Sequence, residues 1–181
     1  MKHSKLMNYA ALISTILTFA FLHETLHALP ALFYGEYGSF SVHPYGFEVI
    51  YKSPIQERLG VHWGLISGLP NIITLSIGYL LFVYRHRIAL HRNSFLGVMG
   101  YWMMCIFLFA DALNLSVNPF IFGGDIGGIV VGFGIHQYII QITFFIIVLV
   151  NRELIVQNLF PLYGIESKSI LWKPGIKFRK E

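Results

Sequence analysis

Four apolar runs dominate the chain, at about 6–33, 59–84, 94–115 and 126–150. Each is long enough to cross a hydrocarbon core of about 30 Å at a rise of about 1.5 Å per residue. Inside lipid every backbone N–H and C=O must be satisfied within its own segment, so such runs are helices. The expected fold is therefore an all-α integral membrane protein with about four transmembrane helices. Composition points the same way: 55% of residues are hydrophobic and only 12% are charged, against about 25% charged in an average soluble domain. That balance excludes a disordered chain and an ordinary soluble enzyme. The single cysteine, Cys105, excludes a disulfide scaffold. The first run is read as a span and not as a signal peptide, because His23 and Glu24 follow it where a small-residue cleavage site would be expected.

Charge gives an expected orientation. With four spans, the N-terminus, the 85–93 loop and the 151–181 segment share one side. They hold Lys2, Lys5, Arg85, Arg87, Arg92, Arg152, Lys168, Lys173, Lys177, Arg179 and Lys180, which leaves only Lys52 and Arg58 for the other side. The bias places both termini in the cytoplasm and makes 151–181 a basic cytoplasmic tail. Pro161, Gly164, Pro174 and Gly175 within it read as a short interfacial helix followed by a loosely ordered end. The surplus of +4 is accounted for by the bilayer, so no nucleic-acid partner is implied. Between the first two spans, Phe40, Val42, Phe47, Val49 and Tyr51 alternate on either side of His43-Pro44-Tyr45-Gly46. This predicts a small β-hairpin over about 37–51.

The first run also carries chemistry. His23-Glu24-Thr25-Leu26-His27 is an H-E-x-x-H pattern. Residues four apart share a helix face, so both imidazoles reach one ion. Glu24 is offset by about 100° and can address a metal-bound water without ligating the metal. The alternative is that the span ends near Leu22 and the triplet sits among head groups. Ala28, Leu29, Ala31, Leu32 and Phe33 continue the apolar run past it, and ionisable groups inside a span mark function by default. The expected cofactor is one Zn²⁺ per chain, held by His23, His27 and a third ligand. Asp125, flanked by Gly123-Gly124 and Gly127-Gly128, is the favoured third ligand; Asp111, inside the third run, is the alternative. Asp125 could instead be a plain helix cap. His62 is read as an interfacial or supporting group and His136 as a hydrogen-bonding residue within the bundle. A rival reading uses His23, His27, His62 and His136 as haem ligands, or keeps the metal for structure alone.

At these residues the sequence resembles the site-2 protease family of intramembrane zinc metalloproteases. His23-Glu24-Thr25-Leu26-His27-Ala28-Leu29-Pro30-Ala31 is similar to that family's H-E-x-x-H-A-x-x-A helix. Ile66-Ser67-Gly68-Leu69-Pro70-Asn71 is similar to its Ala-Gly-Pro…Asn segment, with Leu69 inserted. Asn118-Pro119…Asp125-Ile126-Gly127-Gly128 is similar to its Asn…Pro…Asp-Gly segment, with Ile126 interposed. The resemblance covers roughly residues 8–150 and implies a minimal core, residues 1–150. It implies that Asp125 is the third zinc ligand and Glu24 the general base. Asn71 and Asn118, with Asn114 as a further candidate, would hydrogen-bond the substrate backbone. The partners would be a membrane-embedded protein or peptide substrate and the bilayer itself.

Overall fold

The computed structural model describes residues 4–44, 46–91, 94–121, 123–167 and 169–175. Lys2, Arg92, Lys168, Lys177, Arg179 and Lys180 of the charge count lie outside the described residues, as do Tyr45 of the hairpin turn and Phe122. The first helix, α1 (Lys5–Phe33), is 29 residues long, about 44 Å. Ser4 caps it, its hydroxyl accepting from the Met7 N–H at 3.2 Å. An antiparallel hairpin follows, β1 (Tyr37–His43) and β2 (Gly46–Tyr51), with Phe40 opposite Val49. Then come α2 (Val61–Val83), the short α3 (Arg85–Ala89) and α4 (Ser94–Ser116). A 3-10 turn at Asn118–Phe120 leads to α5 (Ile126–Phe133) and α6 (Gln137–Leu154). Four helices are long and apolar enough to cross a membrane: Lys5–Phe33, Val61–Val83, Ser94–Phe120 and Gln137–Leu162. The chain is a membrane protein of four spans with the expected hairpin between the first two. Ile13, Leu17, Ile142, Phe145 and Leu149 lie exposed on outer faces, as lipid contact requires.

The fourth span differs from the run at 126–150. The apolar stretch breaks at Gly134, which closes α5 in the left-handed conformation at φ 65°. His136 then caps α6, its ring accepting from the Tyr138 N–H. It is an exposed cap, not a residue inside the bundle. The span proper starts at Gln137 and runs through Asn151, Arg152 and Glu153 to Leu162, so these residues belong to the bundle and not to a tail. They can stay helical at this depth because their polar groups are satisfied. Asn151 donates to the Leu108 carbonyl and accepts from the Tyr79 hydroxyl at 2.7 Å. Arg152 pairs with Glu153 and donates to the carbonyls of Leu171 and Lys173, both at 2.7 Å. The segment from Ile170 to Gly175 thus folds back along α6 as a strap.

The packing places α4 at the centre, against α1, α2 and α6. Leu75, Phe82, Met104, Leu108, Ile155 and Leu159 form one core between α2, α4 and the end of the fourth span. Leu115, Ile126, Ile129 and Ile140 form a second, which holds α5. α5 is short and depends on close contact with α2. Side chains at Gly132 and Gly128 would collide with the Gly64 backbone and with Ser67. Small residues facing one another let two helix backbones approach, and this is how membrane helices gain contact where no hydrophobic force drives them together.

Candidate metal centre

Four elements converge on one point in the bundle. From α1, His23 and His27 present their Nε2 atoms 3.1 Å apart. From the turn before α5, Asp125 brings Oδ2 to 3.3 Å from His23 Nε2 and Oδ1 to 3.2 Å from His27 Nε2. Ligand atoms about 2.0–2.1 Å from a tetrahedral zinc are separated by about 3.3 Å, so all three separations suit one ion. His23, His27 and Asp125 are the only such ligand group among the described residues.

The chain builds this point locally. Gly124 takes φ +60°, a turn that a side chain would resist, and swings Asp125 inward. Asp125 occupies the cap position of α5, yet its side chain makes no capping bond. Its carboxylate is directed to the histidines instead. Pro70 lacks an N–H, so the Ile66 carbonyl one turn earlier has no intrahelical donor. That carbonyl accepts from His27 Nδ1 at 2.8 Å. The bond fixes the tautomer and leaves the Nε2 lone pair facing the cluster. His23 Nδ1 sits 3.1 Å from Asp111 Oδ1, an ion-pair contact and not a directed hydrogen bond. With each Nδ1 turned to an oxygen, two Nε2 lone pairs and a carboxylate face one another. Such a set is held together either by a proton on His23 or by a cation between the groups, so the three residues could hold a metal ion.

Around these groups lies a shell of buried partners. Asn71 and Asn114 each donate to Asp125 Oδ2 at 2.9 Å, and Asn114 also donates to Asn71 Oδ1 at 3.2 Å. Thr74 donates to Asp111 Oδ2. Phe19 stacks on His23 at 5.6 Å and closes that side. Asp111, the alternative ligand at the sequence level, therefore stands behind His23 and not in the cluster. Asn71, expected to contact substrate, is fully buried and holds Asp125 in place. Asn118, the other expected substrate residue, opens the exposed 3-10 turn and is not among the converging groups. His62 is 3.8 Å from Glu36 at the base of the hairpin. With His136 also outside the bundle, the four histidines of the haem reading do not meet.

Glu24 sits about 100° round α1 from His23 and reaches the hairpin. Its Oε2 accepts from the Val49 N–H of β2 at 3.1 Å. Phe21, one turn before Thr25, sets the hairpin on α1, its ring edge-on to Phe47 at 5.5 Å and Phe40 at 6.0 Å. Tyr51 ends β2 and packs on Trp63, which with Ala31 and Ile66 forms a third small core. Burial pushes the Tyr51 phenol above its ordinary range, and the charges of Asp125 and Glu24 add to this, while Arg58 opposes it. Tyr51 therefore remains a hydrogen-bond donor beside the cluster. In the sequence Tyr51 stands out only as a hairpin residue, and Thr74 not at all. Pro70, four residues after Ile66, was a readable signal for a free carbonyl.

A separate apolar cavity of about 350 Å³ lies between α2, α5 and α6, lined by Leu69, Ile72, Ile129 and Phe144 among others. It holds no titratable side chain and carries no chemistry. No protein-family profile, curated protein or solved structure matches this chain.

Proposed function

We propose that the protein is an intramembrane zinc metallopeptidase, a minimal-core enzyme of the site-2 protease type. The observation that carries this reading is the set of 3.1–3.3 Å separations among His23 Nε2, His27 Nε2 and the Asp125 carboxylate, one residue from an acidic Glu24. His23, His27 and Asp125 hold the zinc. When bound, zinc supplies a water acidified toward neutral pH and a Lewis acid for the peptide carbonyl. Three protein ligands leave a place for water, as a catalytic and not a structural site does. Glu24 takes one proton as the water oxygen bonds to the carbonyl carbon. It returns that proton to the amine nitrogen as the carbon–nitrogen bond breaks. Asp111 and the Ile66 carbonyl hold the imidazoles; Asn71 and Asn114 hold Asp125.

The substrate is a membrane-embedded peptide that unwinds locally to expose a bond. The edge of β2 away from β1 lies against α1, and an added strand would have to take the Val49 N–H from Glu24. By the charge bias both termini lie in the cytoplasm, which sets the hairpin and the end of α1 at the opposite face. The test uses wild type and Glu24→Gln in liposomes with a pool of transmembrane peptides, read by mass spectrometry for new termini. Cleavage that a zinc chelator stops, and that Glu24→Gln lacks, supports the reading. Equal cleavage by Glu24→Gln, or none by zinc-loaded wild type across a broad pool, contradicts it.

A further inference from the structure

Hydrolysis at this centre turns the scissile carbonyl oxygen into an oxyanion, and that oxygen needs a hydrogen-bond donor placed to meet it. The side chains that hold the cluster have already given their hydrogens. Asn71 donates to the Ser67 carbonyl and to Asp125, both at 2.9 Å. Asn114 donates to Asn71 at 3.2 Å and to Asp125 at 2.9 Å. Thr74 donates to Asp111, and His27 donates its Nδ1–H to the Ile66 carbonyl. Tyr51 has not been spent in this way. Among the described residues its hydroxyl has no hydrogen-bond partner, and it is not one of the polar atoms sealed inside the bundle.

Tyr51 also stands at the right height. β2 runs alongside α1, with Phe47 against Phe21 and Val49 against Glu24. The two residues from Val49 to Tyr51 advance the strand about 6.6 Å. At about 1.5 Å per helix residue that is about four residues of α1, to the level of Ala28, one residue past His27. Residues two apart share one face of a strand, so Tyr51 faces the helices as Val49 does. Its ring meets Trp63 at 5.3 Å and packs on the small core of Ala31, Trp63 and Ile66. Ile66 is the residue whose carbonyl holds His27. Arg58 lies over the Tyr51 ring at 4.7 Å, tied by its Nε to the Ser53 carbonyl at 3.2 Å. Burial keeps the phenol protonated, and of the charges around it Asp125 acts most strongly, then Glu24, with Arg58 weakest.

We propose that Tyr51 is a catalytic residue of this centre, its hydroxyl donating to the oxygen of the scissile carbonyl. The inference rests on the metallopeptidase reading above. As the water oxygen bonds to the carbonyl carbon, the π electron pair of the carbonyl moves to its oxygen. The Tyr51 O–H holds that charge and keeps its own proton. When the carbon–nitrogen bond breaks, the pair returns to the carbonyl. Arg58 and Trp63 are positioning residues, which fix the Tyr51 ring between the hairpin and α2.

The test compares wild type with Tyr51→Phe, which keeps the ring and removes only the oxygen, as zinc-loaded protein in nanodiscs. One set of probes is phosphinic tetrapeptides of varied side chains, in which a tetrahedral phosphorus with two oxygens replaces the scissile amide. The other is thiol peptides of the same side chains, which hold zinc through one sulfur and present no second oxygen. Calorimetric titration should show phosphinate affinity about tenfold to a hundredfold lower in Tyr51→Phe, the factor expected for loss of a hydrogen bond to a charged group. Thiol affinity, zinc content and melting temperature should match wild type. Equal phosphinate affinity in the two proteins, or no phosphinate binding where thiols bind, overturns the role of Tyr51 and leaves the metallopeptidase reading standing. A loss that phosphinates and thiols share does the same, since it marks Tyr51 as structural. Phosphinates and thiols that all fail to bind zinc-loaded wild type overturn both.

Discussion

Replacing Gly132 with alanine adds one methyl group where α5 meets α2, at a place with no room for it. The added carbon would collide with the N and Cα of Gly64, which are backbone atoms and cannot turn aside. Gly127, in the same short helix, has no atom within 4 Å of the equivalent position. Both changes gain the same helix propensity, roughly 1 kcal/mol. Only Gly132→Ala meets overpacking, which costs about 1–3 kcal/mol and reaches the upper end where backbone opposes backbone. Comparing the two variants cancels the propensity and leaves a difference of about 3 kcal/mol. For a chain of this size that is roughly 6–12 °C in Tm. The same push moves α5 off α2 and carries Asp125 with it, so zinc affinity in Gly132→Ala falls about tenfold or more, as it does when ligands lose their orientation. Thermal unfolding in detergent and competition against a zinc chelator measure both effects. If Gly132→Ala matches Gly127→Ala in stability and in zinc affinity, the close α2–α5 contact does not position Asp125.

Asp111→Asn keeps the ligand set and removes the charge behind His23, so zinc affinity should drop about tenfold to a hundredfold without vanishing, as chelator competition will show. Asp125→Ala, by contrast, should lose zinc altogether under the same assay; retained zinc there with a loss in Asp111→Asn would reverse the two roles. Asn151→Leu leaves the Tyr79 hydroxyl without its acceptor and removes the extra donor to the Leu108 carbonyl, and unfolding in mixed micelles should show a cost of about 1–2 kcal/mol. Trp172→Ala opens the strap over the groove it shares with Cys105, Phe109 and Phe160, so maleimide labelling of Cys105, the single cysteine, should quicken; an unchanged rate would mean that the strap does not cover it.

The span count, the hairpin and the shared face of His23 and His27 all follow from signals that act locally or at fixed spacing. Apolar length sets the spans, alternation around a Pro/Gly turn sets the hairpin, and the i, i+4 pair sets one face of α1. The fourth span was displaced because hydropathy alone does not register Gly134. It also treats Asn151, Arg152 and Glu153 as an end, when partners far away in sequence satisfy them. The roles around the cluster were less legible for the same reason. Asp111 and Asn71 are candidate ligand or substrate residues in isolation; only packing shows that one backs His23 and the other holds Asp125. The Ile66 carbonyl has no side-chain signature at all, and its availability is encoded by Pro70 one turn on. The Val49 N–H is equally silent, since any residue but proline supplies it.

The central claim is that His23, His27 and Asp125 hold one metal ion, and the most direct measurement is elemental metal content of the detergent-purified protein beside His27→Ala. The account predicts about one zinc per chain in wild type and none in the variant. A folded, monodisperse wild type without zinc, or a variant that keeps it, would contradict the account.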